Sequence, residues 1–392
     1  MANTILTPNI ITREALRILH QKCNFIGSVN RQYDDSFARE GAKIGDSLRI
    51  RLPNRYTVRN GINLAVQDTV ETQTTLQVAN VKGVDMSFTS QELTLSLDDF
   101  SKRIIEPAMA VLAANIEADA LTMTQSVSQL VGDQANNITL KGVLQGRKKL
   151  GDSLTPSDNR TALLNTADNV NLVSSISGLF NDTTTIAKQY REGYMGRTAG
   201  FDFMENTLMP TQARSSATGF TATAGSGDGS SITVTGTGVI DVGTVFTVAG
   251  VNRVHPETKQ DTGELMQFTV TSAVGAPNTT LINISPAYVT TGAFKNVTTA
   301  PSTGALTLFG TVSTPYQQSL LYHKDAFTFA TADLVMPQGV DFAAREVMDG
   351  ISMSIVRQFQ INDRSFPTRI DVLYGYKAIR PELACRLAFK SA

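Results

Sequence analysis

Residues 230–250 read SSITVTGTGVIDVGTVFTVAG and carry a single charge, Asp241, in a chain whose charged residues make up 18% of the whole. The sequence on both sides returns to Arg, Asp, Glu and helix-forming residues. The runs SITVTG, VFTVAG, MQFTVTSA and TLINISPAYV are β-branched, alternating and broken by Gly, Pro and Asn, the pattern of short strands in a small barrel or sandwich. Residues 211–312 therefore read as an all-β domain of about a hundred residues, a full domain by size, set into a host of different character.

A chain of 392 residues is long enough for a host with its own core beside such an insert. With 41% hydrophobic residues and a mean hydropathy of -0.07 it reads as globular. No apolar run approaches the roughly 18–20 residues needed to span a bilayer as a helix. The opening MANTILTPNIITREALRILHQ lacks a basic segment followed by an apolar one and a small-residue cleavage site, so no export signal and a cytoplasmic home are expected.

Net charge is -1 and the isoelectric point about 6.3. Proteins built to neutralise phosphates show a basic excess, so nucleic acid is expected as a weak neighbour at most. Cys23 and Cys385 stand at opposite ends of the chain without CxxC spacing and read as packed, reduced thiols. His20, His255 and His323 are too scattered for a local metal motif. No metal, cofactor or catalytic arrangement of nucleophile, base and orienter can be nominated. Gly142, Gly146, Arg147 and Lys148 lack the order of a phosphate loop, and GSGDGS at 225–230 has no helix signal after it whose N-terminus could hold a phosphate. The Asn-x-Ser/Thr triplets at Asn278, Asn283 and Asn296 read as coincidence in a Thr-rich chain.

The host begins with Thr7-Pro8 as a cap and an apolar stripe Ile11, Ala15, Ile18 and Leu19, a first helix. From Gly45 the pattern becomes GDSLRIRLPNRYTVRNG, in which Leu48, Ile50 and Leu52 alternate with arginines at strand period. With the alternation in TTLQVANVKGVDMSFTS, residues 45–90 read as a long β arm. Such a ribbon is marginal alone in water; it either folds back on its own domain or lies on another chain. A capping-box match at Ser96 to Asp99 precedes the stripe Ile105, Met109, Leu112, Ile116, Ala120 and Met123, a spine helix of about 28 residues and roughly 40 Å, kinked or interrupted at Pro107. LKGVLQGRKKLGDSLTP reads as a helix with a basic face ending near Gly151. Val372, Tyr374 and Tyr376 share one phase, as in a terminal strand that completes a sheet begun earlier.

In this order the segments LTPNIITREALRIL, GDSLRIRLPNRYTV, FSKRIIEPAMAVLAANIEADAL, AGFDFMENTLMPTQARSSATG, GTVFTVAGVNRVHPETKQ, YHKDAFTFAT and YGYKAIRPELACRLAF resemble the major capsid (coat) proteins of tailed bacteriophages, in the short-tailed branch with an inserted β-barrel. The resemblance spans nearly the whole chain and rests on the combination, since no single segment is a signature by itself. It implies an α+β capsid fold. The parts are an N-terminal arm and helix (1–44), an extended loop (45–92), a peripheral domain with the spine helix (93–130) and an axial domain (131–210). The inserted β-barrel (211–312) and a return to the axial and peripheral domains with closing strands (313–392) complete it. It further implies hexamers and pentamers of an icosahedral head around double-stranded DNA, a scaffolding protein, a portal at one vertex, no membrane, and assembly in the bacterial cytoplasm into a virion.

Two places depart from the family pattern. AGSGDGSS stands where relatives often carry a long charged loop, and no N-terminal extension resembles a fused scaffold, which favours a separate one. Candidate inter-subunit contacts are Arg49, Arg51, Arg55 and Arg59 on the arm. In the insert, Arg253, Glu257, Lys259, Asp261 and Glu264 cluster in NRVHPETKQDTGE, a loop that fits a contact surface or a solvated tip. The rival reading from another class is a surface-binding, adhesin-like protein using the Thr/Gly-rich domain, against which the expected lack of an export signal counts; an enzyme is a third.

Overall fold

The structure, a computed structural model, describes residues 15, 23–31, 47–59, 61–64, 66–69, 71–89, 105–176, 197–214, 216–224, 228–272, 274–334, 336–348, 351–362 and 365–390. The expected first helix over 7–20, apart from Ala15, and the capping box at 96–99 lie outside these residues. The chain divides into two compact units. One holds Met1–Ile50, Gln73–Leu121 and Phe327–Lys377; the other holds Arg51–Thr72, Thr122–Ala326 and Ala378–Ala392.

In chain order the elements are α1 (Asn24–Ser28), β1 (Ser47–Arg51), β2 (Gln73–Gln77), β3 (Asn80–Thr89) and α2 (Glu106–Leu121), then β4 (Leu130–Asp133), α3 (Leu140–Asp152), β5 (Arg160–Leu164), α4 (Thr166–Ile176), β6 (Arg197–Thr198) and β7 (Phe201–Glu205). Six strands of the insert follow: β8 (Thr218–Ala224), β9 (Gly229–Ile240), β10 (Val245–Val254), β11 (Asp261–Val270), β12 (Val274–Tyr288) and β13 (Gly304–Leu308). The chain closes with β14 (Ser319–His323), β15 (Phe327–Ala332), β16 (Phe342–Met348), β17 (Ile351–Arg357), β18 (Ser365–Ala378) and β19 (Ala384–Phe389). The class is α+β.

In the first unit, β1 and β2 form a two-stranded sheet in which Ile50 and Leu76 are buried while Arg49 points to solvent. The alternation that follows belongs to another sheet. β3 pairs antiparallel with β18 from Asn80 opposite Tyr374 to Thr89 opposite Ser365, beside the strand order β15-β18-β17-β16. β18 buries Val372, Leu373 and Tyr374 and leaves Tyr376 half-buried, and its ladder with β3 completes a sheet begun early in the chain; it is not the terminal strand, since β19 follows in another sheet.

The described part of the spine begins at Ile105; residues 90–104 lie outside the described residues. α2 runs 16 residues from Glu106 to Leu121, directly after Ile105 in π-helical geometry and with Pro107 near its start, and gives way to a 3-10 stretch at Thr122–Ser126. Two threonines in TMTQS weaken the α-helix there. Met109, Leu112, Ile116, Ala120 and Met123 are all buried, as the stripe requires. Glu117, on a face that sequence alone makes polar, is buried as well, and its Oε1 accepts the Phe25 amide at 2.9 Å.

The second unit is centred on a six-stranded sheet in the order β4-β19-β14-β5-β7-β6. β5, β14 and β19 are buried at every position, the mark of strands covered on both faces. α3 and α4 cover one face, where Val143, Leu150, Leu172, Leu321, Leu387 and Phe389 share a core. The insert closes as a barrel in the order β10-β11-β12-β9-β8-β13, with β13 paired back to β10. Its longest ladder, β9 with β12, runs from Ser231 opposite Asn283 to Ile240 opposite Val274. Phe246 and Phe268, ring centroids 5.8 Å apart, fill its centre with Ile232, Val234, Val248 and Ile282.

Candidate assembly surface and the barrel seam

Alternation along β19 decides how the insert is held. Cys385, Leu387 and Phe389 join the α3 core, so Arg386 and Ala388 face the other way, toward the barrel. Ala388 packs with Leu130, Val245 and Tyr316. Arg386 is fully buried; Nη1 donates to the Gly243 carbonyl at 2.8 Å and to Gln318 Oε1 at 3.3 Å, and Nη2 donates to Thr269 Oγ1 at 3.2 Å. Burial lowers the pKa of this guanidinium to about 10. One strand of the host thus fixes the start of β10 and the end of β11.

The rest of the seam is polar and paired. Gln267 on β11 meets the Leu130 backbone in both directions, accepting its N–H at 3.0 Å and donating to its carbonyl at 2.9 Å. Lys149 on α3 donates to Gln267 Oε1 at 3.0 Å. Thr269 Oγ1 donates to the Gln125 carbonyl at 3.0 Å. Sequence reading passed over Arg386, Gln267 and Thr269. For Arg386 a signal was present: a lone charge inside the apolar run ACRLAF, which a closing strand carries only when the charge has buried partners.

The five insert candidates are not one exposed loop. Arg253 donates through Nη2 to the Asp152 carbonyl at 2.7 Å and to Ser153 Oγ at 2.9 Å, at the C-terminal end of α3, where a cation complements the helix dipole. Glu264 pairs with Lys148 on the same helix, and that pair draws its carboxyl below the usual glutamate range. Lys259 turns back on its own domain, donating to the carbonyls of Pro256 and Ala293, each at 2.6 Å. Asp261 accepts Asn252 Nδ2 at 3.0 Å and the Gly263 amide at 2.8 Å. Glu257 is exposed. Lys259 and Asp261 thus bind within the insert, Glu257 stands in solvent, and Arg253 and Glu264 are seam residues.

The arm candidates lie differently. Arg51 pairs with Glu71 at 3.3 Å across the base of the 51–72 excursion, both well exposed, and Leu52 N–H donates to the Thr72 carbonyl at 2.8 Å. Arg55 lies 5.7 Å from the Phe294 ring centroid. Arg59 donates through Nη1 to the carbonyls of Gly61 and Asn63 and so braces the tip. Beyond that foot a row of apolar side chains stands in solvent: Val58 is 90% exposed, Ile62 96%, Leu64 84% and Val66 81%, with Tyr56 beside them. This is the largest run of exposed apolar side chains close together in sequence among the described residues, and scattered single residues are what a monomer surface ordinarily shows.

Among the described residues no cluster of His, Cys, Asp and Glu could hold a metal, and no helix is long and apolar enough to cross a membrane. Both cysteines are buried and unbridged.

Residues 228–387 match the family model described as P22 coat protein, gene protein 5. Among solved structures the chain is similar to one from Mycobacterium phage Che8, at 12% identity over 94% of this chain and 90% of that one with a TM-score of 0.49. It is also similar to the capsid of cyanophage P-SCSP1u, at 10% identity over 90% and 85% with a TM-score of 0.44. The CUS-3 coat protein I-domain aligns at 25% identity over 24% of this chain and 96% of that one, with a TM-score of 0.20. The search of curated proteins found no match. The resemblance to tailed-phage coat proteins is thus carried by the family match, which takes in most of the barrel and nearly all of the return strands.

Proposed function

We propose that this chain is the major capsid protein of a tailed phage, a structural subunit that closes with many copies of itself into a shell. The observation that carries the reading is the exposed apolar row of Tyr56, Val58, Ile62, Leu64 and Val66 on the excursion between β1 and β2, beside the family match over 228–387. An excursion of this kind has too little of its own core to hold such a row in water, and a neighbouring copy supplies the missing surface. Copies arranged as hexamers and pentamers around double-stranded DNA, a scaffolding protein during assembly, and a portal at one vertex follow from that reading, with the virion as its location after assembly in the host cytoplasm. A net charge of -1 limits repulsion between packed copies and leaves DNA a weakly held neighbour.

Arg49, Arg51, Arg55 and Arg59 are proposed to meet acidic side chains of the adjacent subunit. Exposed pairs contribute about 0–1 kcal/mol each, so apolar burial and repetition carry the strength. Replacing residues 54–70 by a short Gly/Ser linker, in cells that also supply a scaffold, gives a folded chain whose circular dichroism keeps its β content but which forms no shells in electron micrographs. Closed particles of ordinary size from that variant would refute the reading.

A further inference from the structure

Assembly leaves one cavity unexplained. In the second unit a pocket of about 430 Å³ lies between the foot of the 51–72 excursion, the barrel and the end of α3, within the range of about 300–1,000 Å³ usual for small-molecule sites. Its walls differ at two ends. One part is apolar, formed by Leu52, Pro286, Val289 and Phe294, with Arg55 over the Phe294 ring. The other is a joined polar group: Arg253 reaches Ser153, Gln129 donates to both Ser153 Oγ and the Glu382 carbonyl, and Lys149 reaches Gln267.

Charge at the polar end does not balance. Of the two carboxylates in the wall, Glu264 is taken by Lys148, and Glu382 by Arg380 at 3.1 Å. Lys149 and Arg253 are left with neutral acceptors, an amide oxygen for one and a carbonyl and a hydroxyl for the other. Burial lowers the pKa of both cations below the ordinary value even though the nearby Glu264 carboxylate acts in the opposite direction, so desolvation outweighs that carboxylate. A half-buried cation of this sort favours an anion, and the apolar side chains of the same pocket favour a hydrocarbon stem.

We propose that this cavity binds a free medium-chain alkyl carboxylate, its headgroup between Lys149 and Arg253 and its stem along Val289, Phe294 and Leu52. A single negative charge suits two cations that already lie near Glu264, whereas a dianion would be repelled by that carboxylate. The site is independent of shell formation, and its test needs none.

Calorimetric titration of the full-length chain at pH 7 with hexanoate, octanoate, decanoate and decanol tests it. Decanoate binds saturably at one site per chain, affinity rises about fourfold per added methylene, and decanol binds at least tenfold more weakly than decanoate. Lys149→Gln weakens decanoate at least tenfold and leaves decanol unchanged. Ala287→Trp, which fills the pocket from its rim without touching either cation, abolishes both, with circular dichroism confirming that each variant folds. Equal binding of acid and alcohol, decanoate affinity unmoved in Lys149→Gln, or no saturable decanoate binding would overturn the assignment.

Discussion

Arg386 and Asp168 are the two charges whose partners matter most to the second unit, and they act in opposite ways. Arg386 leaves the Gly243 carbonyl, Thr269 and Gln318 without their donor if truncated, and the vacated volume adds a cavity. Arg386→Ala is expected to cost about 3–5 kcal/mol in urea denaturation and to make the barrel the first part cut by protease. Asp168 lies just inside α4, where its amide donates to Asn165 Oδ1 at 2.7 Å and its Oδ2 accepts Asn165 Nδ2 at 2.8 Å and Ser319 Oγ at 2.6 Å. Burial raises its pKa despite those bonds. For an acid whose folded pKa lies above the unfolded one, the native state binds more protons in between, so stability falls as pH rises from about 3.9 through the folded value. Asp168→Asn keeps an acceptor for Ser319 and removes the charge. Denaturation midpoints across pH 4–7 should show a flatter slope and a stability within about 1 kcal/mol of wild type at pH 7, while Asp168→Ala costs about 1–3 kcal/mol by orphaning its partners.

At the scale of elements, α3 shows why the glycines at 142 and 146 are there. They lie one turn apart on the face against the sheet. A Cβ at Gly142 would sit 2.5 Å from the Phe389 ring and one at Gly146 2.5 Å from Leu321 Cδ1, whereas one at Gly151 meets nothing within 4 Å. Gly142→Ala is therefore expected to lose about 1–3 kcal/mol to overpacking, while Gly151→Ala gains up to about 1 kcal/mol from helix propensity; paired thermal melts check both signs. A phosphate-loop reading of these glycines fails on motif order, and close packing replaces it. Other elements were as legible as their local signal. The barrel strands and the α2 stripe were readable because alternation and 3.6-residue spacing are local properties. The partner of β3 was not, because β18 lies almost three hundred residues away and a ladder leaves no mark on either strand alone. Apart from Arg386, the seam was illegible for the same reason: NRVHPETKQDTGE looks like a charged loop until α3 is placed beside Arg253 and Glu264.

For the whole molecule the decisive contrast is between side chains that hold the chain together and those that hold nothing within it. Ile62 and Leu64 belong to the second kind, at 96% and 84% exposure. Substitutions at such positions change monomer stability by about 0.5 kcal/mol or less, but burying each on a neighbour contributes roughly 1.5–3 kcal/mol, repeated at every subunit contact in a shell. The double variant Ile62→Asp with Leu64→Asp should therefore melt within a degree or two of wild type as an isolated chain. Each aspartate would also carry a charge into the contact, where desolvation without a partner is costly, so the concentration needed for assembly, followed by light scattering, should rise at least a hundredfold. A seam variant such as Arg386→Ala gives the reverse order, with stability lost first and assembly failing only as a consequence. If the aspartates instead destabilise the monomer and leave the assembly threshold where it was, the exposed row belongs to the fold rather than to the shell.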